Sequence, residues 1–147
     1  MATIRRSVEI NTPLEKVFDF VSAPGNWTKY VTSLISIDNV SDDPIKAGTT
    51  FDWTYRMLGM DFQGNGKVLE YEKNKRFSIR MEGHFPITET YDFDGDASRT
   101  TLTVQIDYDL PGKLLGVLAD RMVVEKLNVK EADTVLDKVK TLCEEGG

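Results

Sequence analysis

Glu89 and Tyr91 stand two residues apart in the stretch Ile87-Thr-Glu-Thr-Tyr-Asp-Phe93. Strand alternation puts both on one face with Ile87 and Phe93, so the carboxyl is expected to follow its apolar neighbours inward. A carboxyl taken out of water has its pKa raised toward neutrality, where it can accept and release protons. A tyrosine hydroxyl beside it gives the pair the chemistry of a general base or of a hook for a bound molecule, so Glu89 and Tyr91 are the candidate catalytic residues. The competing reading is a β-bulge that shifts the register and turns Glu89 outward. Arg6 is the other charge in an apolar phase, with Ile4, Val8 and Ile10. A buried charge needs a partner, a ligand or an open rim, and Arg6 meets Glu89 if the seventh strand lies between the first and the sixth.

Few other residues offer chemistry. His84, between Gly83 and Phe85-Pro86, is read as a solvated turn residue rather than a base. Cys143, on the last turn of the final helix, is read as a small packed hydrophobe. With one histidine and one cysteine in the chain, zinc and disulfide chemistry are disfavoured and no metal site is expected. Asp92, Asp94 and Asp96 alternate through a hairpin without the glycine and terminal glutamate of a calcium loop. No Gly-x-Ser-x-Gly, phosphate-binding glycine loop or His-Glu-x-x-His occurs, which removes support for hydrolase, nucleotide and metalloprotease readings. No cofactor is expected. Eighteen Lys+Arg against 24 Asp+Glu give a net charge of −6, which opposes nucleic acid as a partner.

These residues must be positioned by about one domain's worth of chain, since 147 residues leave no room for a second core. Residues 2–10 alternate as a strand. Thr12-Pro-Leu-Glu15 reads as a capping box, and Leu14, Val17, Phe18 and Val21 form a helical stripe that Pro24-Gly25 ends. Trp27, Tyr30 and Val31 mark a second short helix. From 34 to 110 the text is β-branched and aromatic with short punctuation, giving strands at 34–41, 48–57, 60–72, 75–84, 86–94 and 99–110. Connections this short make an antiparallel meander. Residues 113–145 keep a helical period through Leu115, Leu118, Met122, Val129, Ala132, Val135, Leu136, Val139 and Leu142, and Glu144 onward is expected to fray. No apolar run reaches the roughly 18–20 residues of a membrane span, and the amino terminus has no signal core, so a cytoplasmic location is expected.

A seven-stranded antiparallel sheet must bury its apolar face, and the long helix is the element large enough to cover it. This α+β order, the opening Asn11-Thr-Pro-Leu-Glu-Lys-Val-Phe-Asp-Phe-Val21, Pro24-Gly-Asn-Trp27 and Tyr108-Asp-Leu-Pro111-Gly resemble the helix-grip domains of the START-like (SRPBCC) superfamily, in particular its polyketide cyclase/dehydrase-like and CoxG-like members. The resemblance spans nearly the whole chain and implies a curved sheet wrapped around the carboxy-terminal helix. It also implies an elongated apolar cavity between the two, of the kind that holds lipids, sterols, polyketides, quinones or plant hormones. The motifs mark a fold rather than a reaction.

Alternation assigns the lining of that cavity: Trp53, Tyr55 and Met57 in phase with Phe51, then Phe62, then Phe77, Ile79 and Met81, then Glu89 and Tyr91, then Tyr108, with Leu118 and Met122 from the helix. Filling a core is the competing role for each aliphatic member. Gly64 and Gly66 fall in the same inward phase, where they either bend the strand or leave volume for a guest. Three functions stay open: binding or transport of a hydrophobic small molecule, a cofactor-independent cyclase or dehydratase, and a ligand-free protein-interaction module. An enzyme needs at least two ionisable side chains converging in the cavity, whereas a carrier needs apolar walls and one polar anchor.

Overall fold

The computed structural model describes residues 2–57, 59–83, 86–108 and 121–146, with the side chains of Met57 and residues 121–124 outside the description. Along the chain run β1 (Ala2–Ile10), α1 (Leu14–Ser22), α2 (Pro24–Tyr30), β2 (Leu34–Asp38), β3 (Thr50–Met57), β4 (Met60–Glu72), β5 (Arg76–Glu82), β6 (Ile87–Gly95), β7 (Thr100–Tyr108) and α3 (Arg121–Gly146). The strands form one curved antiparallel sheet in the order β1-β7-β6-β5-β4-β3-β2. β2 to β7 are thus the expected meander, and β1 adds to its far edge beside β7. Most strand limits fall within two residues of expectation. β2 stops three residues early because Asn39 turns to a positive φ of 54° and its amide side chain donates to Asp52.

The helical entry differs in detail from the sequence expectation. Pro13 is the N-cap of α1 and no side chain caps it, so the Thr12–Glu15 box does not form. A tertiary contact replaces it: the Leu14 amide donates to the Asp96 carbonyl at 2.9 Å, and the Thr100 hydroxyl donates to the Thr12 carbonyl at 2.8 Å. The β6–β7 turn that supplies these partners is held by the Asp96 carboxylate, which accepts from the Ser98 and Arg99 amides. Pro24 opens α2 at its first turn instead of merely ending α1. Trp27 Nε1 and Tyr30 Oη then both donate to the Val21 carbonyl, at 3.0 and 2.7 Å, satisfying an acceptor left over at the end of α1.

The core lies on the concave side of the sheet. Val17, Phe18 and Val21 of α1 are fully buried, and Phe18 stands edge-on to Phe93, Tyr71 and Phe77. Further along the same face Phe77 stacks on Tyr91 at 4.8 Å between centroids. α3 crosses β1 and β7 and touches both short helices, burying Ala132, Val135, Leu136, Val139 and Cys143 at helical spacing. The sequence pattern of Leu115 and Leu118 lies outside the described residues. α3 runs to Gly146, one residue past the expected helix end, and its last turns are tied to the amino-terminal segment: Glu144 accepts from the Asn11 amide and from Lys140, and Lys140 also donates to the Glu9 carbonyl.

Candidate functional site

The position of Glu89 follows from uninterrupted pairing. β6 pairs residue for residue with β5 and β7, so Glu89 lies between Ile79 and Ile106, and Ile4 of β1 comes next in the same row. The bulges are elsewhere, in β4 between Val68 and Glu70 and in β2 between Leu34 and Ser36, where the extra residues Leu69 and Ile35 turn out to solvent. Glu89 is consequently only 7% exposed. Tyr91 Oη donates to its Oε2 at 3.0 Å, and no other hydrogen bond from a described residue reaches the carboxylate. Burial pushes the Glu89 carboxyl up from 4.5 to about 7; the Tyr91 hydrogen bond opposes this, and the charge of Glu131 adds to it.

Around the carboxyl stands a cluster of tyrosines. Tyr30, Tyr55 and Tyr91 are all pushed well above the ordinary phenol range, first by burial and then by the Glu89 charge. The Tyr30 and Tyr91 rings stand edge to face, 6.5 Å between centroids, and Tyr91 is the one whose hydroxyl meets Glu89. A cavity of about 270 Å³ opens from Glu89 between the sheet and α3. Trp53, Tyr55, Phe62, Met81, Ile87 and Ile106 form its sheet side, α3 contributes Leu127, Asn128, Lys130, Glu131 and Thr134, and the segment after α2 contributes Thr32 and Ser33. Beneath it a slit of about 10 Å³ runs between Tyr30, Phe51, Phe77, Ile79 and Tyr91, about the room of one water. Tyr55, Met81 and Glu89 border both spaces, so the carboxyl sits where the wider cavity narrows into the core. Glu131 is fixed from the other wall: Ser33 Oγ donates to its Oε2 at 2.9 Å and the Ser33 amide to its Oε1 at 3.4 Å.

The sequence matches the family described as polyketide cyclase / dehydrase and lipid transport over residues 1–144. The chain belongs to this family. It is similar in structure to a protein of Thermus thermophilus, with 19% identity, a TM-score of 0.82 and 99% of each chain covered. It is similar also to the Zhui aromatase/cyclase of a Streptomyces species, with 12% identity, a TM-score of 0.82 and 98% of this chain and 94% of that one covered. A START superfamily protein of Mycobacterium smegmatis has 14% identity and a TM-score of 0.70, with 95% and 98% covered. At these identities the likeness is one of fold, the curved seven-stranded antiparallel sheet with its long carboxy-terminal helix. No curated protein matches the sequence.

In this polyketide cyclase-like chain, Trp53, Tyr55, Phe62, Met81 and Glu89 border the wider cavity, and Phe77, Ile79 and Tyr91 border the slit below it. Tyr108 is buried between Ala2 and Ile87 and is not among the described residues that line either space. Leu118, His84 and the side chains of Met57 and Met122 lie outside the described residues. Of the roles open to Arg6, the structure gives it a partner at an open rim and not the carboxyl of Glu89. β7 does lie between β1 and β6, but Arg6 pairs through Val104 with Tyr91, one row away from Glu89. On this edge strand Arg6 turns to α3 and pairs with Asp133 at 3.4 Å, both side chains about half exposed.

The glycines leave no room for a guest. Phe51, paired with Gly66, lays its ring where a Gly66 side chain would stand, and Trp53 does the same over Gly64 while donating to the Asn65 carbonyl at 2.9 Å. The lining residues that sequence reasoning missed are Thr32 and Ser33 after α2 and those of α3. Leu127, Asn128, Glu131 and Thr134 follow helical spacing beside the buried stripe, and a reading that followed apolar residues alone passed over a polar stripe.

Proposed function

We propose that the protein binds a hydrophobic small molecule, a lipid, polyketide, quinone or similar compound, with its body between the sheet and α3 and its polar end at Glu89 and Tyr91. One observation carries this reading: a mostly apolar cavity narrows onto a buried carboxyl that has a tyrosine hydroxyl beside it and no ion pair with any described residue. A volume of about 270 Å³ falls just below the roughly 300–1,000 Å³ of small-molecule sites, which favours a compact guest. Native mass spectrometry of the gently purified protein, with titration of an environment-sensitive apolar dye, tests it. The expected result is a retained guest or a saturable dye signal that Trp53→Ala and Glu89→Gln alter. No retained guest and no dye binding at any concentration would refute it and favour an interaction module.

A second reading, proton-transfer catalysis of the cyclase or dehydratase kind, is favoured by one feature, the Glu89 carboxyl at about 7 beside Tyr91. The Glu89 carboxylate would take a proton from a carbon next to a carbonyl, and the Tyr91 hydroxyl would donate to the resulting enolate oxygen. Deuterium uptake at that carbon of a diketone, with a pH profile breaking near 7 and lost in Glu89→Gln, is the expected signature. Uptake no faster than in buffer would sink it.

A further inference from the structure

We infer that the guest carries a protonated amine, an inference that rests on reading the cavity as a binding site and names the chemistry of the polar end it takes. Half of the Glu89 carboxylate is unused by the described residues. The side chain is more than nine-tenths buried and borders the cavity, its Oε2 is taken by Tyr91, and no described residue donates to Oε1. A second carboxylate, Glu131, borders the same cavity from α3, and its charge acts on Glu89 only by repulsion. Ser33 fixes the orientation of Glu131 through both oxygens without neutralising it. Among the described lining residues the one basic side chain is Lys130, which is exposed.

Candidate polar ends can be compared on these terms. A carboxylate or phosphate would meet two negative charges in a site of reduced dielectric, where repulsion is strengthened. A carbonyl oxygen can only accept, so it requires Glu89 to hold its proton and does nothing for Glu131. An ammonium brings three donors, supplies the free Glu89 oxygen and lowers the repulsion between the carboxylates. The apolar walls add to this preference. Trp53 and Tyr55, edge to face with centroids 5.5 Å apart, line the cavity together with Phe62, and the quadrupole of such rings attracts a cation.

The test uses three compounds sharing one tail, 4-phenylbutylamine, 4-phenylbutanol and 4-phenylbutyrate, titrated into the full chain at pH 8 and followed by intrinsic fluorescence, with the apolar dye in parallel. The expected result is binding of the amine at least about tenfold tighter than the alcohol, the scale of a hydrogen bond to a charged group, and no binding of the carboxylate. Glu89→Gln should erase the preference for the amine while the alcohol still binds, which separates the site from attraction to the net charge of the surface. Glu131→Gln, outside the sheet core, should reduce the preference and covers the case of a misfolded Glu89 variant. Equal affinity for amine and alcohol, or a preference that both variants retain, overturns the inference and leaves the hydrophobic-guest reading standing. Failure of all three compounds and of the dye overturns both.

Discussion

Replacing Glu89 with glutamine should make the protein relatively more stable as the pH rises. Folding raises the Glu89 carboxyl from 4.5 to about 7, chiefly by burial. A carboxyl that binds its proton more tightly when folded adds stability that is complete below the unfolded value near 4.5 and is lost as pH climbs to about 7. Over that window the loss comes to about 3 kcal/mol. At pH 4 both proteins carry a neutral amide-sized side chain at position 89, whereas at pH 8 only the parent buries a charge. Carboxyls held down by hydrogen bonds, Asp42 from Thr49, Asp61 from Arg56, Asp96 from Ser98 and Glu144 from the Asn11 amide, titrate alike in both proteins and cancel in the difference. Urea unfolding of both proteins between pH 4 and pH 8 measures it, and carboxyl-carbon NMR reads the Glu89 titration directly. Stability curves that run parallel across the range, or a Glu89 carboxyl titrating near 4.5, would refute the reasoning.

Other perturbations have equally direct readouts. Tyr91→Phe removes the one hydrogen bond that lowers the Glu89 carboxyl, so the NMR titration midpoint should move above about 7. Gly66→Ala drives a methyl group into the Phe51 ring and should cost about 1–3 kcal/mol in urea unfolding, while Gly25→Ala, with open space around it, should cost far less. Phe18→Ala empties the centre of a cluster formed with Tyr71, Phe77 and Phe93 and should cost about 3–5 kcal/mol by the same assay.

Most of the fold was legible because its signals are local and periodic. Alternation in β3 to β7 named the inward faces correctly from Phe51 to Ile106, and it placed Glu89 inside because no bulge interrupts β6. Capping was not legible in the same way. Thr12 and Glu15 have the right spacing, but the partner that wins, the Asp96 carbonyl, is some 80 residues distant and enters only when the β6–β7 turn folds back on α1. The partner of Arg6 was not legible for a related reason: strand order alone allowed Glu89, and one row of register decided for Asp133. The α3 side of the cavity was hidden because Glu131 is polar, and only its docking on Ser33 identifies it as a wall rather than a solvated face.

The cost of Glu89 also bears on why the residue is there. A polar group whose removal stabilises a core has no structural reason to be retained, since apolar residues of similar volume pack as well without the desolvation. Its neighbours do not require it either: Tyr30 donates to Val21, and a glutamine at 89 would still accept the Tyr91 hydroxyl. Glu89→Gln should therefore act with opposite signs on two measurements, raising stability above pH 7 and weakening the guest. A purely structural carboxyl would move both the same way or leave binding untouched, so stability and affinity measured on one sample of the variant at pH 8 decide between the roles. If the variant is less stable at pH 8 and binds the guest as before, Glu89 belongs to the framework and the cavity's anchor must be sought at Glu131.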